Sequence, residues 1–189
     1  MNLYTLMKNR RSIRHFSDKK FPRKTIELVL NAGLLAPSGA DKKPYVYIII
    51  DDPVLKEKIK DRCEEIDKRL FANSEGWFKK WMLEKQISLE KNFLVDAPYL
   101  VVVAGETNKP YWLESTWLSI AYIVLAAENE KLATLTYTPG EMDFLHDLIE
   151  IPFNFEPVVI IPIGYPSKRA SKINKNNKKK IFFNRYDSD

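Results

Sequence analysis

Residues 114–131 open with Glu114-Ser115-Thr116-Trp117-Leu118-Ser119-Ile120-Ala121-Tyr122-Ile123-Val124-Leu125-Ala126-Ala127 and run on to Lys131. This stretch reads as one long helix that is apolar on nearly every side. Such a helix has to be covered all round, by its own domain or by a partner. In a chain of 189 residues, that cover is easiest to build when a second copy packs on one face. A homodimer formed around this helix is therefore expected, the alternative being the central core helix of a monomer.

Working outward, apolar β-branched runs flank the helix. Tyr99–Ala104 and Val158–Gly164 read as buried strands, as does Tyr45–Ile50, and Thr134–Tyr137 reads as a short one. Between them lie helix patterns. Residues 2–8 form a short helix. Pro22 suits a helix start, with Ile26, Val29, Leu30 and Leu34 at helical spacing. Pro53 opens a long helix striped by Leu55, Ile59, Cys63, Ile66 and Leu70, whose Glu64 and Glu65 read as solvent-facing. Met142–Ile149 forms a short helix. Residues 70–95, which carry Trp77, Phe78 and Trp81, read as a lid or arm. The gaps between strands are too uneven for regular βαβ units, so the class is α+β, a sheet wrapped by helices.

Composition excludes several functions. The chain is 45% hydrophobic and 29% charged, as a folded globular protein should be. One cysteine, Cys63, and two histidines, His15 and His146, build neither an internal disulfide nor a Cys- or His-rich metal site. Cys63, on its helix stripe, reads as a buried core thiol. No apolar run reaches the length of a membrane span, and the N-terminus does not resemble a signal peptide, so a cytoplasmic protein is expected.

The net charge of +5 and pI of about 9.1 suggest an anionic partner. The distribution redirects that reading. Residues 8–24 hold eight Lys/Arg and one acid, and residues 168–185 hold eight and none. The body between them is acidic. A nucleic-acid-binding domain usually spreads its charge along one face and carries a recognition motif; neither is seen, and no nucleic-acid partner is expected. Two basic ends suit a single compact anion better.

Three segments carry the chemistry. Arg10-Arg11-Ser12-Ile13-Arg14 offers three planar guanidinium forks and a hydroxyl, a donor set that pairs with phosphate. Ala36-Pro37-Ser38-Gly39-Ala40-Asp41 and the following Lys42-Lys43-Pro44-Tyr45 form a small-residue turn that permits close approach of backbone to a flat ligand. Thr134-Leu135-Thr136-Tyr137-Thr138-Pro139-Gly140 leads from a strand into a turn with hydroxyls to offer a ring edge. No Gly-x-Gly-x-x-Gly occurs, so a tightly held dinucleotide is not indicated.

In this order, together with Asp96-Ala97-Pro98, Pro162-Ile163-Gly164-Tyr165-Pro166 and the basic tail ending in Asn184-Arg185-Tyr186, these segments resemble the nitroreductase family of flavoproteins. The resemblance implies a central mixed β-sheet wrapped by helices, in a single domain over 1–189. It also implies an interlocked homodimer whose 165–189 extension reaches the partner, with FMN at the interface. Contacts to FMN fall by resemblance on Arg10, Arg11, Ser12, Arg14, Pro37, Ser38, Gly39, Asp41, Thr136, Tyr137 and Thr138. A tail cation, Lys175 or Lys178, completes the phosphate site, and Thr138 is the candidate partner of flavin N5. The implied reaction is ping-pong. NAD(P)H reduces FMN, which then reduces a small aromatic, quinone or nitro acceptor; no protein acid or base is required.

Two features refine the resemblance. Pro37–Ala40, Thr136–Pro139 and Gly164–Lys168 are most similar to the iodotyrosine deiodinase-like branch, a reductive dehalogenase alternative. In that branch a lid Glu, Tyr and Lys hold the zwitterion of a halotyrosine. Glu64 or Glu65 takes the place of the Glu and Lys91 that of the Lys, with Ala40 beside the substrate. The Tyr is absent: Lys68 stands four residues after Glu64. Asp41 also replaces the usual Asn of the flavin loop, an acceptor for an amide donor. Two further readings are a flavin-degrading relative and, from another class, a nucleic-acid-binding protein.

Overall fold

The structure is a computed structural model describing residues 2–84, 88–168 and 182–185. Its centre is a four-stranded sheet in the order β1-β2-β4-β3, with β1 Tyr45–Ile50, β2 Tyr99–Glu106, β3 Ala133–Thr134 and β4 Phe155–Gly164. Every strand pair runs antiparallel. The mixed character expected of the sheet is confined to one parallel bridge, Ser12 to Thr134.

The two middle strands are buried on both faces, which explains their unbroken apolar runs. Side chains alternate: Leu100, Val102 and Ala104 enter one core, Val101 and Val103 the other. Between Val103 and Ala104 the register slips by one, so Val103 pairs with Val159 and Ala104 with Pro157. This bulge lets Val158 and Val159 enter the same core although they are sequence neighbours.

Helices α2 Arg23–Gly33 and α6 Trp112–Asn129 cover one face of the sheet. Pro22 serves as the N-cap of α2. Ile26, Val29 and Leu30 are buried as the spacing predicts, but Leu34 lies past the helix end and is exposed. Gly33 takes its place facing α6: a Cβ there would lie 2.5 Å from the Tyr47 hydroxyl and 2.7 Å from Ile123. Helix α6 buries Ser115, Thr116, Ser119, Ile120, Ile123 and Ala127. Its other side is left open among the described residues, where Leu113, Trp117, Leu118 and Tyr122 are each 40–45% exposed. Helix α1, Leu3–Asn9, packs against α6 and exposes Leu3 and Tyr4.

The opposite face carries α3 Pro53–Asn73, α5 Phe93–Asp96 and α7 Phe144–Leu148. Asp52 caps α3 by accepting the Leu55 N–H at 2.6 Å, and Pro53 sits at the first helical position. Ile59, Cys63 and Ile66 are buried, while Leu70 at the end of the stripe is exposed. Lys56, also buried, donates to the carbonyls of Val95 and Ala97 and fastens α3 to the end of α5.

Three expectations need correction. The edge strand β1 is half-buried rather than buried, because only β2 flanks it. Regular strand after α6 ends at Thr134, although Tyr137 still pairs with Ile160 through both backbone bonds. Glu64, expected to face solvent, is buried, whereas Glu65 does face solvent in an ion pair with Arg62. The 70–95 stretch contains α4, Trp77–Glu84, followed by α5. The side chains of Phe78 and Trp81 lie outside the described set. Among the described residues, no helix is long and apolar enough to cross a membrane, and no cluster of His, Cys, Asp and Glu is placed to hold a metal ion.

Candidate functional site

The Arg10–Arg14 segment leaves α1 and runs beside β3. Ile13 N–H donates to the Thr134 carbonyl at 3.0 Å, and Phe16 pairs with Pro166. Two of the three expected segments are thus stitched together directly. Arg11 turns back on α1, its Nη1 donating to the carbonyls of Lys8, Asn9 and Arg10 at 2.6, 3.1 and 2.9 Å. These are the carbonyls a helix end leaves open. The Arg11 Nε is buried and, among the described residues, has no hydrogen-bond partner. Ser12 and Arg14 are exposed and Arg10 is half-buried. Sequence reasoning missed Glu128 on α6: burial pushes its carboxyl up, and the nearby Arg10 and Arg11 partly offset that. A buried donor without a partner beside two further guanidiniums and a hydroxyl fits a phosphate group.

The Pro37–Asp41 turn sits at the other end of α6. Gly39 N–H donates to Ser115 Oγ at 3.1 Å, and Lys43 N–H to Ser38 Oγ at 2.9 Å. Ala40, Asp41 and Lys43 all take positive φ, near 50°. Such backbone is uncommon for residues with a Cβ and marks a constrained turn. Gly39 is required here by packing, since a Cβ would lie 2.8 Å from the Tyr111 ring. Pro37, Ala40 and Asp41 are exposed, and Ser38 is half-buried. Ser115 and Glu128 are 13 residues apart on α6, about 20 Å along a helix axis. Within one chain, the arginine segment and the flavin-type turn therefore lie toward opposite ends of one helix.

In the third segment the side chains alternate. Thr136 and Thr138 are exposed and open to a ligand. Tyr137 turns inward. Its ring meets Phe93 edge-on at 5.2 Å and its hydroxyl donates to Asp67 Oδ2 at 3.0 Å. Burial first, then the nearby Cys63 and Asp67, push the Tyr137 phenol well above the usual tyrosine range. Its side chain is committed to the core, leaving only its backbone to face a ring edge.

Tyr137 leads to a cluster between α3 and the start of α5 that brings together Glu64 and Lys91. Glu64 Oε1 accepts the Lys91 backbone N–H at 2.8 Å, and Glu64 Oε2 lies 3.3 Å from Lys68 Nζ. Lys91 Nζ lies 2.9 Å from Asp67 Oδ2 and donates to the Ser88 carbonyl at 2.9 Å. Asp67 is the residue missed here. A carboxylate on the half-buried flank of α3 shows no periodic signal until its partners are placed. Burial alone would raise the Glu64 carboxyl; the Lys91 N–H, Lys68 and Lys60 outweigh that and hold it below its ordinary value. Cys63, beneath the cluster, is pushed up to about 12 by burial and by Asp67, an inert core thiol as expected.

Lys175 and Lys178 lie outside the described residues, as does Tyr186. A cleft of about 490 Å³ between α3 and α7, lined by Arg62, Ile66, Glu141 and Asp147 among others, contains none of the expected site residues.

Residues 7–165 match the family described as Nitroreductase family. The chain belongs to it. Within this nitroreductase family, the iodotyrosine deiodinase of Thermotoga neapolitana is 36% identical over 174 residues, covering 92% of this chain and 94% of that protein. A crystal structure of oxidized iodotyrosine deiodinase bound to FMN and 3-iodo-L-tyrosine superposes with a TM-score of 0.90 at 34% identity, covering 99% of this chain and all of that one. A putative NADH dehydrogenase/NAD(P)H nitroreductase from Bacteroides thetaiotaomicron shares the fold, with a TM-score of 0.75, 24% identity, and 97% and 98% coverage. This family member thus lies near the deiodinase branch, as its motifs suggested.

Proposed function

We infer that the chain is an FMN-dependent reductive dehalogenase of halogenated phenols, working as a homodimer with a nicotinamide hydride donor. The observation that carries the reading is the chain of contacts from Glu64 through Lys91 and Asp67 to Tyr137. That chain joins two residues of the deiodinase-type lid to the segment expected along the flavin edge. The identity of 36% to a deiodinase supports it and favours it over the general nitroreductase reading, for which the likeness among solved structures is one of fold.

The residues fit FMN. Arg10, Arg14 and the orphaned Arg11 Nε would hold its phosphate, with Ser12 adding a neutral donor. Thr136 and Thr138 would address the ring edge, Thr138 as the donor to N5. Ala40 and Asp41 would meet the ring from the Pro37–Asp41 turn. Because this turn and the arginine segment sit toward opposite ends of α6, each flavin would be held by the arginines of one subunit and the turn of the other. Antiparallel pairing of two α6 helices across a two-fold axis brings those ends together and covers Leu113, Trp117, Leu118 and Tyr122.

Bound and reduced, FMN supplies two electrons to the aryl ring. The aryl carbon–halogen bond breaks, the halogen leaves as halide, and a carbon–hydrogen bond replaces it with one proton. Overall, a hydride from NAD(P)H replaces the halide. The chain's part is to stack the phenol against the ring and exclude water.

The test is anaerobic. Flavin-loaded protein is reduced with dithionite and mixed with iodinated phenols, following flavin absorbance and free iodide. Reoxidation with one iodide per flavin is expected. Protein that holds flavin yet releases no iodide from any iodophenol refutes the reading.

A further inference from the structure

Tyr137 stands between Thr136 and Thr138, the two exposed hydroxyls of its segment, and it is held from three sides. Its N–H and C=O both pair with Ile160 of β4, at 3.0 and 2.9 Å. Its ring meets Phe93 of α5 edge-on at 5.2 Å. Its hydroxyl donates to Asp67 Oδ2 of α3 at 3.0 Å, with the Cys63 thiol as its other polar neighbour. Asp67 is fixed in turn. Lys91 Nζ lies 2.9 Å from the same oxygen and donates to the Ser88 carbonyl at 2.9 Å. The Asp67 and Lys91 side chains are only 17% and 5% exposed. Carboxylate and ammonium cancel locally, and the phenol, pushed well above the usual tyrosine range, stays a donor. The same turn of α3 reaches this segment twice more. Arg69 Nη2 lies 2.6 Å from Glu141 Oε2, and Leu70 covers Gly140, leaving no room for a Cβ there. Residues 67–70 and 137–141 thus form one clasp. The Arg69–Glu141 pair is about half exposed, so the well-buried contact of the clasp is Asp67 to Tyr137.

We propose that Asp67 is a positioning residue for the flavin: through the Tyr137 hydroxyl it fixes where Thr136 and Thr138 present their donors to the ring edge. The inference rests on the FMN part of the reading above and does not depend on which acceptor FMN reduces. Both threonine side chains are exposed, so their placement comes from the main chain that carries them, and Tyr137 anchors that main chain. Hydrogen bonds weaken steeply when donor and acceptor are misaligned, and a ligand-facing group is only as well placed as the residues that lock it. β4 holds Tyr137 by its backbone; Asp67 holds the far end of its side chain and sets the tilt of the segment. Lys91 serves the same end one step further out, by holding the Asp67 carboxylate.

The experiment titrates full-length apoprotein with FMN by flavin fluorescence and then measures the midpoint potential of the loaded protein. Potential compares oxidised with reduced FMN in one protein, so a uniform loosening of the fold does not move it. Tyr137→Phe and Asp67→Ala are each expected to weaken FMN about fivefold, the worth of one hydrogen bond, and to shift the potential in the same direction. The double variant should be no weaker than the weaker single one, because both changes remove one contact. Asp67→Asn, whose amide oxygen still accepts the hydroxyl, should stay within about twofold of the parent. Arg69→Ala, which opens only the exposed ion pair, should do the same. Tyr137→Phe keeps the ring packing and the Asp67–Lys91 pair, so it carries the test alone if Asp67→Ala does not fold. Parent affinity and parent potential in Tyr137→Phe overturn the proposal, as do additive losses in the double variant or an Asp67→Asn as weak as Asp67→Ala. Each of these leaves the flavin reading standing. Parent apoprotein that takes up no FMN overturns the flavin reading and the proposal with it.

Discussion

Arg11 and Arg14 belong to one motif but do different work. Arg11 closes the C-terminal end of α1 through three carbonyls, all bound by Nη1, and leaves its buried Nε without a partner among the described residues. Arg14 is exposed and takes no part in such a cap. Arg14→Ala should therefore lower flavin content while leaving the melting temperature of the flavin-free protein unchanged. Arg11→Ala should lower both, with a stability loss of about 1–3 kcal/mol for carbonyls deprived of a charged donor. Absorbance at the flavin band and thermal unfolding of apoprotein separate the two. Equal melting temperatures for both variants would show that the cap contributes nothing. The motif gave the residue types, but its pattern held no sign that one arginine folds back on the helix before it. That depends on where α1 ends, and Arg10 terminates it with an extended backbone.

The junction of α3 with the start of α5 shows how an element acquires a pH dependence. Glu64 lies on the stripe-adjacent flank of α3, where Lys91 reaches it by its backbone N–H and Lys60 and Lys68 by their ammonium groups. Its folded-state value lies below the ordinary 4.5. A depressed carboxylate stabilises the fold fully above its unfolded value, and that contribution is lost as pH falls through the folded value. Glu64→Gln should therefore be less stable than the parent at neutral pH. The gap should close below pH 4.5. Urea unfolding at several pH values reads this directly, and a gap that stays constant down to the acid limit would remove the carboxylate from the account. Helix periodicity located α3 well, because Ile59, Cys63 and Ile66 follow the stripe. It placed Glu64 on the solvent side, because a periodicity argument sees only its own helix and not the turn at Lys91 that covers it.

For the whole molecule, the uncovered side of α6 is the main open term. Leu113, Trp117, Leu118 and Tyr122 form an apolar face beside the exposed Leu3 and Tyr4 of α1. Faces of this kind on soluble proteins mark interaction sites. In the proposed dimer they are covered by a second copy, and each flavin touches both chains. Trp117→Glu should then give a monomer by sedimentation velocity and should lose flavin as well, although Trp117 belongs to none of the flavin segments. A flavin-loaded monomer would show that one chain holds the cofactor unaided.

The order of strands and helices and the family were legible in the chain, and so was an arginine-rich donor set of the kind a phosphate would need. Buried strands must be apolar, helix stripes repeat, and phosphate needs guanidinium and hydroxyl donors, all of which are local chemical demands. Long-range placement was decided only by folding. It turned Tyr137 inward onto Asp67, sent Arg11 back to α1, buried Glu64 under Lys91, and set the flavin-type turn toward the opposite end of α6 from the arginines. Each of these depends on which partner supplies a hydrogen bond or an opposite charge: for Arg11 the carbonyls one to three residues back, for the others groups 27 to 76 residues away. The +5 net charge ends as a set of local arrangements, with cations gathered beside an expected phosphate while Lys60, Lys68 and Lys91 are matched by Glu57, Glu64 and Asp67.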